Sequence, residues 1–191
     1  MSVTEQQVPL GKVIASTRKT VFGSGFDEVI QDIEEGIRGL YLEDDTPWVI
    51  GYSGGKDSST CLQLVWNALF ELPRDQMKKP VYVISTDTMV ENPVVALWVT
   101  ESLAKISKAA QELGLPFEAK QLHPTVEDSF WVNLIGKGYP APRPRFRWCT
   151  ERLKIRPSNK FILDVVHDSG EVILVLGTRS AESAVRAANI K

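Results

Sequence analysis

The sequence predicts an α/β fold: a doubly wound, mostly parallel sheet with helices on both faces. Three observations carry that expectation. Short runs rich in Val and Ile alternate with longer segments of helical period, and the run Trp48–Tyr52 breaks into two glycines before resuming as a helix. The 191 residues, 43% hydrophobic, suffice for one substantial core. Strands joined through helices have both faces covered, which is the condition for a parallel sheet.

The elements follow in order. Residues 1–25 show no clear period and read as an N-terminal arm, leaving 26–191 as the domain. From Phe26 to Tyr41, Phe26, Val29, Ile30, Ile33, Ile37 and Leu40 recur at helical spacing among acidic residues, giving an amphipathic helix. Strand Trp48–Tyr52, a helix from about Asp57 to Phe70 and strand Val81–Thr86 make a βαβ unit. A helix over Pro93–Leu113 is expected, with Asn92 as N-cap, proline at its first position and Gly114 just past its end. Phe117–Leu122 reads as a third strand, Thr125–Ile135 as a short helix, Arg156–Val166 as another and Glu171–Leu176 as a last strand. Ligands of such sheets lie beyond the carboxyl ends of the strands, so the loops after Tyr52, Thr86, Leu122 and Leu176 should converge on a site.

The loop after the first strand is the richest in chemistry. In Ser53-Gly54-Gly55-Lys56-Asp57-Ser58 the glycines let backbone N–H groups approach an anion at a helix N-terminus. Lys56 adds charge, the serines add donors and Asp57 suits a magnesium ion held by phosphates. A Walker loop is excluded, because Ile50 stands where its first glycine belongs and Asp57 follows the lysine. An ordinary serine-capped glycine turn is the bland alternative. Asp87, at the end of the second strand, suits either a ribose or metal contact or a turn-forming role. After the last strand come Gly177 and Arg179, the latter a phosphate-neutralising candidate, while Glu182 and Arg186 have the spacing of a surface ion pair.

Charge is unevenly spread. The whole chain carries −2, yet residues 136–160 hold eight basic residues against one acid, a local +7 that leaves −9 on the remainder. Prolines at 140, 142 and 144 suggest an extended basic loop, 136–157, with Arg143, Arg145 and Arg147 on one side and Phe146 and Trp148 on the other. Guanidinium groups would take phosphates, and the rings would stack on bases or pack down to hold the loop. Arg156 is a further candidate for that surface, and a second, anionic substrate is the favoured reading over a merely solvated face. Two cysteines, Cys61 and Cys149, make no disulfide framework, and no signal peptide or membrane span is evident. A cytoplasmic protein without membrane partners is expected. Cys61 reads as a small buried hydrophobe.

The segments Ser53–Ser58, Ser85-Thr86-Asp87-Thr88, Arg147–Lys154 and Gly177–Ser183 together resemble the phosphoadenosine phosphosulfate reductase branch of the PP-loop N-type ATP pyrophosphatases, and within it most nearly the DndC-like proteins of DNA phosphorothioation. The resemblance runs from about Val21 onward. It implies an adenine nucleotide alpha hydrolase-like fold that hydrolyses ATP to AMP and pyrophosphate with magnesium, adenylating a DNA phosphate for sulfur insertion. Lys56, Asp57 and Arg179 would be catalytic; Ser53, Gly54, Gly55, Ser58, Asp87 and Gly177 would complete the ATP site; Arg143, Arg145, Arg147, Trp148 and Arg156 would meet DNA. It also implies a cysteine desulfurase and other sulfur-modification subunits as partners, and a [4Fe–4S] cluster. Such a cluster needs about four thiolates, of which this sequence offers only Cys149 as a credible ligand. Members of the branch are longer, so a truncated core without a cluster is expected; a reductase would need a cysteine near its C-terminus, which is missing. The alternatives are a tRNA-thiolating or sulfate-activating relative, or a non-catalytic nucleotide- or DNA-binding subunit of a larger assembly.

Overall fold

The computed structural model describes residues 25–179; the arm before Gly25 and the Glu182 and Arg186 pair lie outside them. Helix α1 (Phe26–Glu43) leads to β1 (Trp48–Gly51), α2 (Lys56–Phe70), β2 (Val81–Thr86), α3 (Pro93–Leu113) and β3 (Phe117–Leu122). After an irregular stretch come a short α4 (Trp148–Thr150), α5 (Arg156–Ser169) and β4 (Ile173–Leu176). The four strands form one parallel sheet in the order β3-β2-β1-β4. This is the doubly wound α/β architecture the sequence predicts, and it is consistent with an adenine nucleotide alpha hydrolase-like fold.

Period-2 alternation assigns the faces. Trp48 and Ile50 of β1 register with Val81 and Val83 of β2, and all four are buried with Leu62, Val65 and Leu69 of α2 and Val99 and Leu103 of α3. Each such buried aliphatic side chain stabilises by about 1.5–3 kcal/mol. Trp66 of α2 stacks on Phe117 of β3 at 4.7 Å, extending that core to the sheet edge. The opposite face carries Tyr82, whose ring meets that of Phe161 of α5 in a T-shaped contact at 5.4 Å, and Thr86, whose hydroxyl lies 3.1 Å from that of Ser158. Helices therefore cover both faces. The chain moves from β1 through β2 to β3 in one direction and returns to place β4 on the other side of β1. The order reverses between β1 and β4, and a crevice opens at such a switch point.

Helix α3 begins and ends where its caps dictate. Asn92 accepts a bond from Val94 N–H at 2.9 Å, and Gly114 takes the left-handed conformation, φ 64°, with its N–H donating to Ala110 O and Gln111 O.

Two expectations are corrected. Thr125–Ile135 is not one helix but a 3₁₀ turn, Val126–Asp128, and a π turn, Val132–Gly136, separated at Ser129. Local side-chain bonds win there: Ser129 Oγ donates to Val126 O, and Asn133 Nδ2 donates to Glu127 O and Ser129 O. The basic segment is not extended throughout. Arg143 and Phe146 bond each other's backbone, N–H to O at 3.1 and 2.9 Å, closing a tight turn with Pro144 at the position where its fixed φ suits it. From Trp148 the chain is already helical and reaches α5 through a π turn, Glu151–Ile155, in which Arg156 N–H donates to Glu151 O. Pro157, which lacks an N–H, follows directly, so the wider turn accommodates the donor that proline removes.

Candidate nucleotide site

Gly51 ends β1 and faces Leu176 of β4, so closely that a Cβ on it would stand 2.7 Å from Leu176 Cδ2. Beyond it the chain turns through Gly54 at φ 71°, a conformation glycine enters without penalty. Side chains of Trp98 and Val99 from α3 lie directly behind that turn. Gly55 is the N-cap of α2, and no side-chain cap satisfies the first turn. The leading N–H groups of α2 are thus free of side-chain competition for an anion. The turn is held from within: Ser53 N–H donates to Ser58 Oγ at 3.2 Å, and Ser58 Oγ donates to Gly55 O at 3.0 Å.

The loop after β4 closes the other side. A Cβ on Gly177 would fall 2.5 Å from Asp57 O and 3.1 Å from Ser58 N, so this backbone rests against the first turn of α2. Two residues on, Arg179 Nε meets Asp57 Oδ1 at 2.9 Å. At the end of β2, Asp87 Oδ1 accepts from Met89 N–H at 2.8 Å, a turn of the Asx type that fixes the carboxylate. Its turn-forming role is therefore realised, and the side chain still borders the crevice.

A cleft of about 510 Å³ lies at the β1/β4 switch point. Ser53, Ser58, Asp87 and Gly177 line it; Gly54, Gly55, Lys56, Asp57 and Arg179 adjoin it as neighbours in the chain. Its apolar wall is Ile84, Ile162, Leu174 and Leu176. Glu91, Lys154, Ser158 and Asn159, which sequence reasoning missed as site residues, form the far wall, with Lys154 Nζ 3.0 Å from Glu91 Oε1. The only hint was Lys154's place in the Arg147–Lys154 segment.

The basic candidates divide. Arg156 is held by Asp128 at 2.9 Å and by Glu151 at 3.3 Å, and Arg152 by Asp128 at 2.8 Å and by the Tyr139 hydroxyl at 2.8 Å. Burial pushes the Asp128 carboxyl upward, but the bonds and charges of Arg156 and Arg152 outweigh it and hold it below the usual carboxylate range; Arg156 is raised in return. Trp148 is 7% exposed, stacked on Phe130 at 5.4 Å, with Nε1 donating to Pro140 O. Of the two roles open to the rings, Trp148 takes packing. Arg143, Arg145 and Arg147 are exposed and, among the described residues, make no ion pair or side-chain hydrogen bond.

The iron–sulfur centre that the resemblance implies, and with it the assignment to DNA phosphorothioation, is corrected. Among the described residues no group of three or more His, Cys, Asp or Glu side chains is placed to hold a metal. Cys61 and Cys149 are both free thiols, on α2 and α4 respectively, and burial pushes the Cys61 thiol up. Among the described residues no helix is long and apolar enough to cross a membrane.

No family model matches the sequence. A curated protein of Methanocaldococcus jannaschii, itself described as uncharacterized, is 28% identical over 151 residues, 79% of this chain and 26% of its own length. The chain thus spans about a quarter of the curated relative it matches. Among solved structures, the U34-tRNA thiolase NcsA of Methanococcus maripaludis, with its [4Fe–4S] cluster, is similar at a TM-score of 0.48 and 18% identity, over 86% of this chain and 51% of that one. NAD+ synthetase of Burkholderia pseudomallei is similar at 0.47 and 14%, over 84% and 75%.

Proposed function

We propose that the chain is a PP-loop ATP-using domain that cleaves ATP between its α and β phosphates and passes AMP to an anionic acceptor. The observation that carries this reading is the uncapped N-terminus of α2, reached through the left-handed Gly54, opening at the switch-point cleft. The outer phosphates bind the backbone amides of residues 54–58, the Ser53 N–H being taken by Ser58 Oγ, with Lys56 beside them. The adenosine lies along Ile84, Leu174 and Leu176, with Asp87 at the ribose edge. An acceptor oxygen bonds to the α-phosphorus as the bridge to the β-phosphate breaks. The electron pair departs on pyrophosphate, where the amides and Lys56 stabilise the growing charge. Arg179 stands on the opposite wall. Magnesium, which screens charge between phosphates, needs only one or two carboxylates from a protein; Asp57 supplies one, its Oδ1 already shared with Arg179.

The test is product analysis. Labelled ATP and magnesium, with tRNA, sulfate or DNA as acceptor in parallel, are expected to yield AMP and pyrophosphate. Lys56→Ala is expected to lower the rate by about 100-fold or more, the scale of a lost preorganised donor, and Asp57→Ala by a similar factor through loss of the carboxylate offered to magnesium. ADP as product would remove the assignment, and the acceptor that accelerates AMP formation names the substrate among the three.

A further inference from the structure

We propose that the turn Arg143–Phe146 binds an unpaired nucleic-acid strand, holding one base against Phe146 and its neighbouring phosphates on Arg143, Arg145 and Arg147. This deepens the reading above by naming the acceptor class. Within the basic segment the cations have separated by function. Arg152, Lys154 and Arg156 are committed to Asp128, Glu91 and Glu151, and Lys137 donates to Glu127 O. Arg143, Arg145 and Arg147 keep their charge for solvent on a body that is otherwise acidic, so the complementary ligand is a polyanion.

The shape narrows the polyanion. Pro140, Arg143 and Phe146 surround a notch of about 190 Å³. That is below the roughly 300–1,000 Å³ of pockets that enclose a whole small ligand, so it takes a flat part of one. Its walls are set beforehand: two backbone bonds join Arg143 to Phe146, and the buried indole of Trp148 donates to Pro140 O at 3.0 Å. Phe146 is 43% exposed; two residues on, the buried Trp148 stacks on Phe130, which meets Trp131, 57% exposed, at 5.2 Å. An exposed ring beside guanidinium groups is the pairing that captures single strands, since a base reaches a ring only when it is out of a duplex. A duplex would offer the arginines its phosphates and leave the notch unused.

The experiment is fluorescence anisotropy with the full chain, without ATP, using a labelled 12-nucleotide strand, its 12-base-pair duplex and a polyglutamate peptide at several salt concentrations. The single strand is expected to bind at least about tenfold more tightly than either competitor. Phe146→Ala is expected to weaken it by roughly tenfold, within the range of one lost base stack. Arg145→Gln is expected to lower the salt slope by about 0.7. A melting curve of Phe146→Ala checks that the fold persists; if it does not, Phe146→Leu, which keeps bulk and removes the ring face, replaces it. Equal binding of duplex or peptide, no binding at low salt, or indifference to Phe146 would overturn the proposal. Because nucleotide is absent, this failure leaves ATP cleavage standing, and failure of ATP cleavage leaves strand binding standing.

Discussion

Gly177 is where the two walls of the cleft meet, and glycine is required there by space. The atoms a side chain would strike are backbone, Asp57 O, Asp57 C and Ser58 N, so no flexible group can swing aside. Gly177→Ala is expected to destabilise by about 1–3 kcal/mol, as overpacking does, and to weaken ATP binding, since the turn it displaces is the anion cradle. Chemical denaturation and ATP titration read both effects. Gly36→Ala, in mid-α1 where a Cβ meets nothing within 4 Å, is the control and should stabilise by about 0.5–1 kcal/mol. Asp57 and Arg179 show what a sequence conveys at this scale and what it does not. Each residue was legible as a site candidate from its place after a strand; that each is the other's partner depends on β4 lying beside β1, which no local pattern states.

At the scale of elements, the stretch between β3 and α5 is organised around Asp128. Its carboxylate holds both Arg152 and Arg156, and Arg152 in turn lies over the Tyr139 ring at 5.0 Å, so one charge fixes the floor beneath the basic turn. A carboxyl group depressed in the folded state contributes stability that is fully present above its unfolded value, about 3.9, and is lost as pH falls through the folded value. The Trp148 indole N–H resonance, which reports its bond to Pro140, is therefore expected to hold at neutral pH and broaden only below about pH 4. Asp128→Asn should broaden it at pH 7 and cost about 1.5–3 kcal/mol, the range for bonds to a charged group; an unchanged spectrum would remove Asp128 from this role. This region was also the least legible in the sequence. Helix α3 was readable because proline, asparagine and glycine mark its ends locally, and β2 and β3 because short apolar runs have few alternatives. The turns at 126–128 and 132–136 arise from Asn133 and Ser129 bonding backbone carbonyls, and the basic turn depends on Trp148 stacking on Phe130, contacts without a periodic signature.

Over the whole molecule, the cleft is built from segments far apart in the chain: the turn after β1, the end of β2, the start of α5 and the loop after β4. The convergence of three of these was legible, because strand ends of a parallel sheet must open on one edge; the contribution of Ser158 and Asn159 was not, because it depends on how α5 crosses the opposite face. A ligand that bridges these segments ties the sheet's two halves and both helical layers together, so it should act on global stability. At a hundred times its dissociation constant a ligand bound only to the folded state adds about 2.7 kcal/mol. For a chain of this size each kcal/mol moves the melting point by roughly 2–4 °C, so ATP with magnesium is expected to raise it by about 5–10 °C. Lys56→Ala should lose most of that shift at the same ATP concentration while melting normally without nucleotide, because Lys56 is exposed and makes no ion pair among the described residues. A wild-type melting point indifferent to saturating ATP would mean that the amides of residues 54–58 do not hold phosphate.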